Sequence, residues 1–483
     1  MLRKILTSTF FYSISNQLPA LVNLFLLPIL TPHLTSNDYA IYGLVLAYTG
    51  LVGAFSSLGY IVNFQNSYFH DGTQFRLKWA RMLGFQWIYK ILYAALVTTL
   101  LWYFIGQKLS GKPLMYVLML VVIPVLFFDL TKSIGTRLCQ YRHQHKKVYL
   151  ISIFTALISV ASTLIGILYF HLGFLAWFIS AALASGIQAL YFGYLLYVKE
   201  GIKPQFAFHI SEVKEDLKVA LPLIPKDYAS YVLSSSDRVI LDRNHVSESA
   251  IGQYNIAYAF AGYFENVQQQ ANQVMTPIFF GLFKSRSAEA NELLAKYVKL
   301  WFGISLMLAS LIALWIPQIF HFLYRKEELS AGYPLAIVLI FGFCYRPLYV
   351  AAVDRAIYEK RTPVVLKITL IAALVNLVIN LIFIPYYGVW IAAVSTVISY
   401  VSMGLLGYVL SKSNAEMLSL IRPIRLVVLL ILTAVAVYYL ATVFWMIKLA
   451  CCLIMLAGLV WWYIRIGKEE LKHLNEWRHG EQH

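Results

Sequence analysis

Charge is scarce in this chain. Only 13% of its 483 residues are Asp, Glu, Lys or Arg, while 60% are hydrophobic. A soluble domain is usually about a quarter charged, so a soluble globular protein is excluded. Catalytic and nucleotide motifs are missing as well. No phosphate-binding loop of the form G-x-x-x-x-G-K-[ST] occurs and no zinc-binding motif does. No catalytic residue, metal or cofactor is therefore assigned. Cysteine is rare: Cys139, Cys344, Cys451 and Cys452 show no metal-ligand spacing, and no disulfide framework is expected. A cleavable signal peptide is not evident. Arg3 and Lys4 open the chain, but the apolar stretch behind them holds Asn16, Gln17, Asn23 and two prolines. No small-residue cleavage site follows, and the stretch reads as a first span.

Long apolar runs are what the chain has instead. They recur along its whole length at about 20 residues each, enough to cross a hydrocarbon layer of roughly 30 Å. Short alternating segments, the mark of a transmembrane β-barrel, do not appear. The fold class is an all-α polytopic membrane protein with about 14 spans. They fall near 10–30, 39–62, 80–105, 114–131, 148–169, 173–198, 217–241, 251–282, 297–320, 333–353, 364–385, 388–410, 424–443 and 446–466. The net charge of +16 suits a bias of basic residues toward one membrane face better than nucleic-acid binding. With the N-terminus in the cytoplasm, cytoplasmic segments hold 29 Lys and Arg and outer segments hold 6. That asymmetry puts both termini in the cytoplasm.

The chain also resembles itself. The segment from Leu34 to Gly50 aligns with Val246 to Gly262 at an offset of 212, with Tyr42 on Tyr254, Ala47 on Ala259 and Gly50 on Gly262. A weaker echo joins Lys147–Gly173 to Thr362–Gly388 at offset 215. Six spans separate the copies, so both halves share one orientation. Such a parallel repeat implies an axis along the membrane normal and a cleft between two lobes. The expected division is 1–200 for an N-lobe, 201–411 for a C-lobe, and 412–483 for two further helices and a cytoplasmic tail.

Four cations interrupt the apolar runs: Lys90, Lys226, Arg238 and Arg346. An arginine at a helix centre costs roughly 2.5–3.5 kcal/mol on an insertion scale, so it does not face lipid. Arg346 is followed by Pro347, which loosens the helix there. Lys226 and Asp227 follow a bend expected from Pro222 and Pro225. Span eight is strongly polar, with Glu265, Asn266, Gln268, Gln269, Gln270, Asn272 and Gln273. One face of it should line water or a polar interface. Arg346, Lys226 and Lys90 are candidate contacts for an anionic substrate. Each is also a candidate for a buried pair with Glu265 or Asp227, and the two roles are compatible. Glu265 and Asp227 are candidate sites for a coupling ion. Asp237-Arg238 lies near the outer end of span seven, within reach of water, and for Asp237 helix-end structure is favoured over substrate contact. His143 and His145 lie in a basic loop that suits anionic lipid headgroups better than a metal.

The stretch Leu217–Leu241, followed by Ile251-Gly-Gln-Tyr-Asn-Ile-Ala-Tyr258, resembles the second-half signature of bacterial polysaccharide-biosynthesis flippases. These belong to the multidrug/oligosaccharidyl-lipid/polysaccharide exporter superfamily. The specific pieces are Leu-Pro222-Leu-Ile-Pro225, Ser-Ser-Ser-Asp237-Arg238-Val-Ile-Leu and Gly252-x-Tyr254. The likeness covers nearly the whole chain and implies a non-enzymatic transporter. The resemblance implies movement of undecaprenyl-pyrophosphate-linked O-antigen or capsule repeat units across the bacterial inner membrane. It further implies alternating access driven by an ion gradient, with membrane lipids and polymerase machinery as partners. A drug or cation antiporter of the same fold is the alternative, although its pore should favour carboxylates over cations. A membrane-bound polymerase or ligase needs a larger outer loop than the stretch near 320–332 provides.

Overall fold

The computed structural model describes residues 24–410, apart from 143, 208 and 286, and residues 419–462. Most of the expected first span, with Ser13, Asn16, Gln17 and Asn23, lies outside the described residues, as do His143 and the end of the last span. Among the described residues the regular structure is entirely helical. In chain order the helices are α1 Leu24–His33, α2 Ser36–Leu51, α3 Ile61–His70, α4 Phe75–Ile105, α5 Gly111–Tyr141, α6 Lys146–Tyr169 and α7 Leu175–Lys199. Then come α8 Ile210–Ala220, α9 Ile224–Arg243, α10 Glu248–Ser285, α11 Ala288–Leu323, α12 Tyr333–Phe343 and α13 Arg346–Tyr358. The last four are α14 Thr362–Tyr387, α15 Val389–Leu410, α16 Pro423–Leu440 and α17 Trp445–Trp462.

Nine helical stretches among the described residues are long and apolar enough to cross a membrane. α9 and α10 are not among them, because their polar residues lower their hydropathy. Three expected spans depart from straight helices. The second ends at Leu51, and the chain turns through residues 52–60, where Leu58 takes φ 48°. The seventh begins with a tight turn at Leu221–Leu223, and Pro225 then sits in the first turn of α9. Proline lacks only an N–H that has no partner at a helix start. The tenth is split: α12 stops at Phe343 and α13 restarts at Arg346, with Pro347 in its first turn.

The helices form two lobes. In the N-lobe α4 and α5 pack on each other and on α2 or α7, and α7 carries α6; in the C-lobe α10 to α15 pack together, with α16 against α11 and α12. The lobes meet where α2 lies along α9 and α10. This seam is where the sequence repeat meets itself. Gly43 and Asn255 are counterparts at offset 212, and a Cβ on Gly43 would fall 2.0 Å from Asn255 Nδ2. Likewise a Cβ on Gly252 would fall 2.0 Å from the Ser36 carbonyl oxygen. Glycine permits both approaches. A residue touching its own counterpart marks the pseudo-twofold axis.

One end of the seam is bonded shut. Lys108, between α4 and α5, pairs with Asp242 at 2.8 Å and Glu248 at 3.1 Å. Burial works against its charge, but the two carboxylates hold its ammonium above the usual lysine value. Ser36 donates to Glu328, and Tyr48 donates to Asp242. Lys326 donates to the Leu34 carbonyl at 2.7 Å and Thr31 to the Leu323 carbonyl at 2.9 Å. At the opposite end Thr276–Asp354 and Arg355–Asn291 stay inside the C-lobe. There the linker helix α8 sits on the N-lobe instead: Arg81 meets Glu212 at 2.7 Å, and Asn63 Nδ2 donates to the Asp216 carbonyl at 2.8 Å.

Candidate functional site

The split between α12 and α13 sets Arg346 at the first residue of a new helix. That end of α13 carries positive potential, which raises the cost of a guanidinium and favours an anion beside it. Glu265, near the middle of α10, supplies one: Arg346 Nη2 donates to Glu265 Oε1 at 2.8 Å. The two side chains are 12% and 21% exposed, so both are reached by solvent. Arg346 Nε is buried and has no hydrogen-bond partner among the described residues. Behind the guanidinium, Tyr345 stacks on Tyr400 with centroids 4.8 Å apart. Both rings are buried, and they act as a packed floor.

The polar run on α10 divides between two directions. Glu265, Gln269 and Gln273 recur every four residues on one face, and Gln269 Nε2 donates to Glu265 Oε1 at 3.3 Å. Gln268 turns into the lobe, accepting from Trp301 Nε1 and Ser305 Oγ, both at 3.0 Å. On that stripe Glu265 is half-buried and Gln269 and Gln273 are exposed.

The reading of Asp237-Arg238 as a solvent-reaching helix end is corrected. Both are buried, because α9 continues to Arg243 and α10 packs across them. Arg238 Nε donates to Asn255 Oδ1 at 2.7 Å, and its Nη1 donates to the Ser234 carbonyl at 2.7 Å and to Asp237 Oδ1 at 3.0 Å. Tyr254 donates to the other Asp237 oxygen. The Tyr258 ring lies 4.3 Å from the guanidinium carbon. Asn255 then reaches the Tyr39 carbonyl of α2 at 3.1 Å. A buried pair so fully bonded is a joint between helices.

Lys226 and Asp227 are exposed in the first turn of α9. They are not joined to Glu265 or Arg346 by any described bond. Lys90 is in the N-lobe, buried on α4, away from both. The structure thus unites Arg346 with Glu265 and leaves Lys226, Asp227 and Lys90 in other places.

Two polar features escaped sequence reading. Asp354 of α13 is buried and accepts from Thr276 Oγ1 at 2.7 Å. Asn376, Asn380 and Ser395 are buried between α14 and α15, with Ser395 Oγ donating to Asn380 Oδ1 at 2.5 Å. The signal was present: two asparagines four apart share a helix face, and interhelical polar bonds hold membrane helices together.

Residues 5–283 match the family described as polysaccharide biosynthesis protein. No curated protein matches the chain. Among solved structures, an inward-facing conformation of a multidrug resistance MATE family transporter of the MOP superfamily aligns with a TM-score of 0.65 at 15% identity. It covers 86% of this chain and 98% of that one. The lipid II flippase MurJ in an inward closed conformation aligns at 0.63 and 14% identity, covering 90% and 98%. An outward-facing multidrug resistance MATE family transporter aligns at 0.53 and 16% identity, covering 86% and 96%. The fold is that of these transporters.

Proposed function

Because the chain belongs to the polysaccharide biosynthesis protein family, we propose that it is a flippase for undecaprenyl-pyrophosphate-linked oligosaccharides. It works by alternating access across the bacterial inner membrane. The observation that carries this reading is Arg346: a solvent-reached guanidinium with one carboxylate partner and a donor, Nε, that has none. The planar fork of that guanidinium can grip two oxygens of a pyrophosphate, which then competes with Glu265 for it. Glu265, once released, is free to take up a proton or cation, which couples loading to an ion gradient. Asp227 is a second site for such an ion, and Lys226 meets the anionic headgroup at the mouth of the cleft. The prenyl tail stays in lipid.

The excess of basic residues makes the bonded end periplasmic and the other end cytoplasmic, with both termini inside. The lobes divide near residues 200 and 411, and polysaccharide polymerase machinery is the expected partner outside. A cation-coupled drug antiporter is the second reading, favoured by the buried carboxylate Asp354. Deletion separates the two. Loss of surface polysaccharide, with lipid-linked repeat units accumulating on the inner leaflet, supports the flippase. Unchanged polysaccharide with altered drug sensitivity overturns it.

A further inference from the structure

Lys90 borders a cavity of about 440 Å³ whose lining comes from the N-lobe alone, on α2, α3, α4, α5 and the turn after α2. Three lining residues carry polar groups with nothing to bond. Lys90 is 4% exposed, and its ammonium has no hydrogen bond or ion pair among the described residues. The centroid of the Tyr93 ring is 5.2 Å from it. Gln86 Oε1 and the Tyr60 hydroxyl are buried without partners. Asp129 and Lys132, also on the lining, face each other at 3.4 Å and are 40% and 31% exposed. An ion pair that open, part-way along a membrane-crossing helix, needs water beside it. That side is the mouth.

The charges and the size narrow what fits. Asp129 and Lys132 cancel, so one positive charge is left, on Lys90. An unpaired buried ammonium is costly, and one negative charge relieves it; a dianion would overshoot. The volume falls within the roughly 300–1,000 Å³ typical of small-molecule sites, so a bare inorganic ion would leave most of it empty. Ser56, Ser57 and Ser133, which keep accessible surface on the lining, suit a hydroxylated body.

We propose that this cavity is a subsite for a sugar bearing one carboxylate, a uronate, with Lys90 as its counter-charge and the half-buried Ser56, Ser57 and Ser133 bonding its hydroxyls. The inference deepens the flippase reading, in which that sugar belongs to the repeat unit. The test needs no transport. Purified full-length protein in detergent is titrated with glucuronate, glucose and inorganic phosphate. Calorimetry reads the binding, together with the fluorescence of Trp87, one turn before Lys90. Glucuronate should bind saturably and at least about tenfold more tightly than glucose or phosphate, as a charge-assisted bond allows. Lys90→Gln should lose that preference and Lys90→Arg should keep it. The ligand-free Lys90→Gln protein should melt no lower than the parent, because an unpaired charge has been removed. No saturable binding, equal binding of glucose or phosphate, or full affinity in Lys90→Gln overturns the proposal. If Lys90→Gln does not fold, unchanged affinity in the combined Ser56→Ala, Ser57→Ala and Ser133→Ala variant overturns it instead. Failure here leaves the flippase reading standing, since that reading is decided by the polysaccharide of the deletion strain.

Discussion

Arg238 and Arg346 are both enclosed by C-lobe helices, and both have a carboxylate beside them. They differ in what else they touch. Arg238 bonds Asp237, Asn255 and the Ser234 carbonyl and lies against the Tyr258 ring. Arg346 bonds Glu265 alone among the described residues and keeps a buried Nε without a partner. A fully bonded buried charge rigidifies a joint, and a partly bonded one holds capacity for a ligand. Intramembrane arginine is therefore not a single kind of signal. The number of donors already occupied separates a structural arginine from one able to meet an anion.

The comparison can be broken most sharply at Asp237. Asp237→Ala leaves Arg238 charged and unpaired in the core, and a loss of about 3–5 kcal/mol is expected. Thermal melting of the purified protein should show it, with little folded protein recovered. A variant that melts like the parent would mean the joint carries no stability. Arg346→Ala should behave in the opposite way. The pair is partly exposed, at 12% and 21%, so the loss of stability should be only about 1 kcal/mol. Surface polysaccharide in a complemented deletion strain should nevertheless fall steeply at matched expression. Arg346→Lys should restore it in part, because lysine offers a point charge where arginine offers a fork. Normal polysaccharide in Arg346→Ala removes Arg346 from the substrate path.

Smaller effects are expected where the lobes join. Lys108→Ala removes two partly exposed ion pairs at the bonded end, together worth about 1 kcal/mol. That corresponds to roughly a fivefold rise in the open population. Ser249 lies at this end, 3.1 Å from the Ser36 hydroxyl, and labelling of Ser249→Cys by an impermeant maleimide, in a background without the native cysteines and compared with and without Lys108→Ala, measures it. Unchanged labelling would show that Lys108 does not hold this end shut. The smallest effect concerns α8. Burial raises the Asp216 carboxyl to about 6, opposed by Lys78 and reinforced by Glu212, Glu215 and Asp71. The folded state thus holds a proton that the unfolded chain gives up near pH 4. The resulting stability is present at low pH and is lost as pH rises through about 6. Asp216→Asn should remove that slope and raise the melting temperature by a degree or two at pH 7.5, roughly what a sub-kcal change produces in a chain of this size. A melting curve whose pH dependence is the same in both proteins would exclude Asp216 as its source.

Part of the site was legible from residue order alone. Arg346 in an apolar run demanded a partner, and Glu265 was one of two carboxylates available to it. The polar stripe on α10 was visible as residues four apart, although periodicity could not say that Gln268 would turn toward Trp301 while Glu265 met Arg346. Asp237-Arg238 was misjudged because its distance from the expected span end was short. Whether water or α10 covers that end is a question of packing. Lys90 was recognised as costly, but nothing in its neighbourhood along the chain reveals a cavity formed with Tyr60 and Asp129, which lie 30 and 39 residues away.

Composition and the length of the apolar runs were enough to determine an all-helical membrane protein, since lipid leaves a backbone no other way to satisfy its polar groups except a closed barrel. The offset of 212 between the repeats already implied two lobes about an axis. Only the tertiary structure decided which end of the seam is shut. It also decided which cations are satisfied and where Lys90 is enclosed. Those outcomes depend on contacts between helices far apart in the chain. In a membrane the hydrophobic effect does not discriminate among such contacts, so close packing and hydrogen-bond geometry select them.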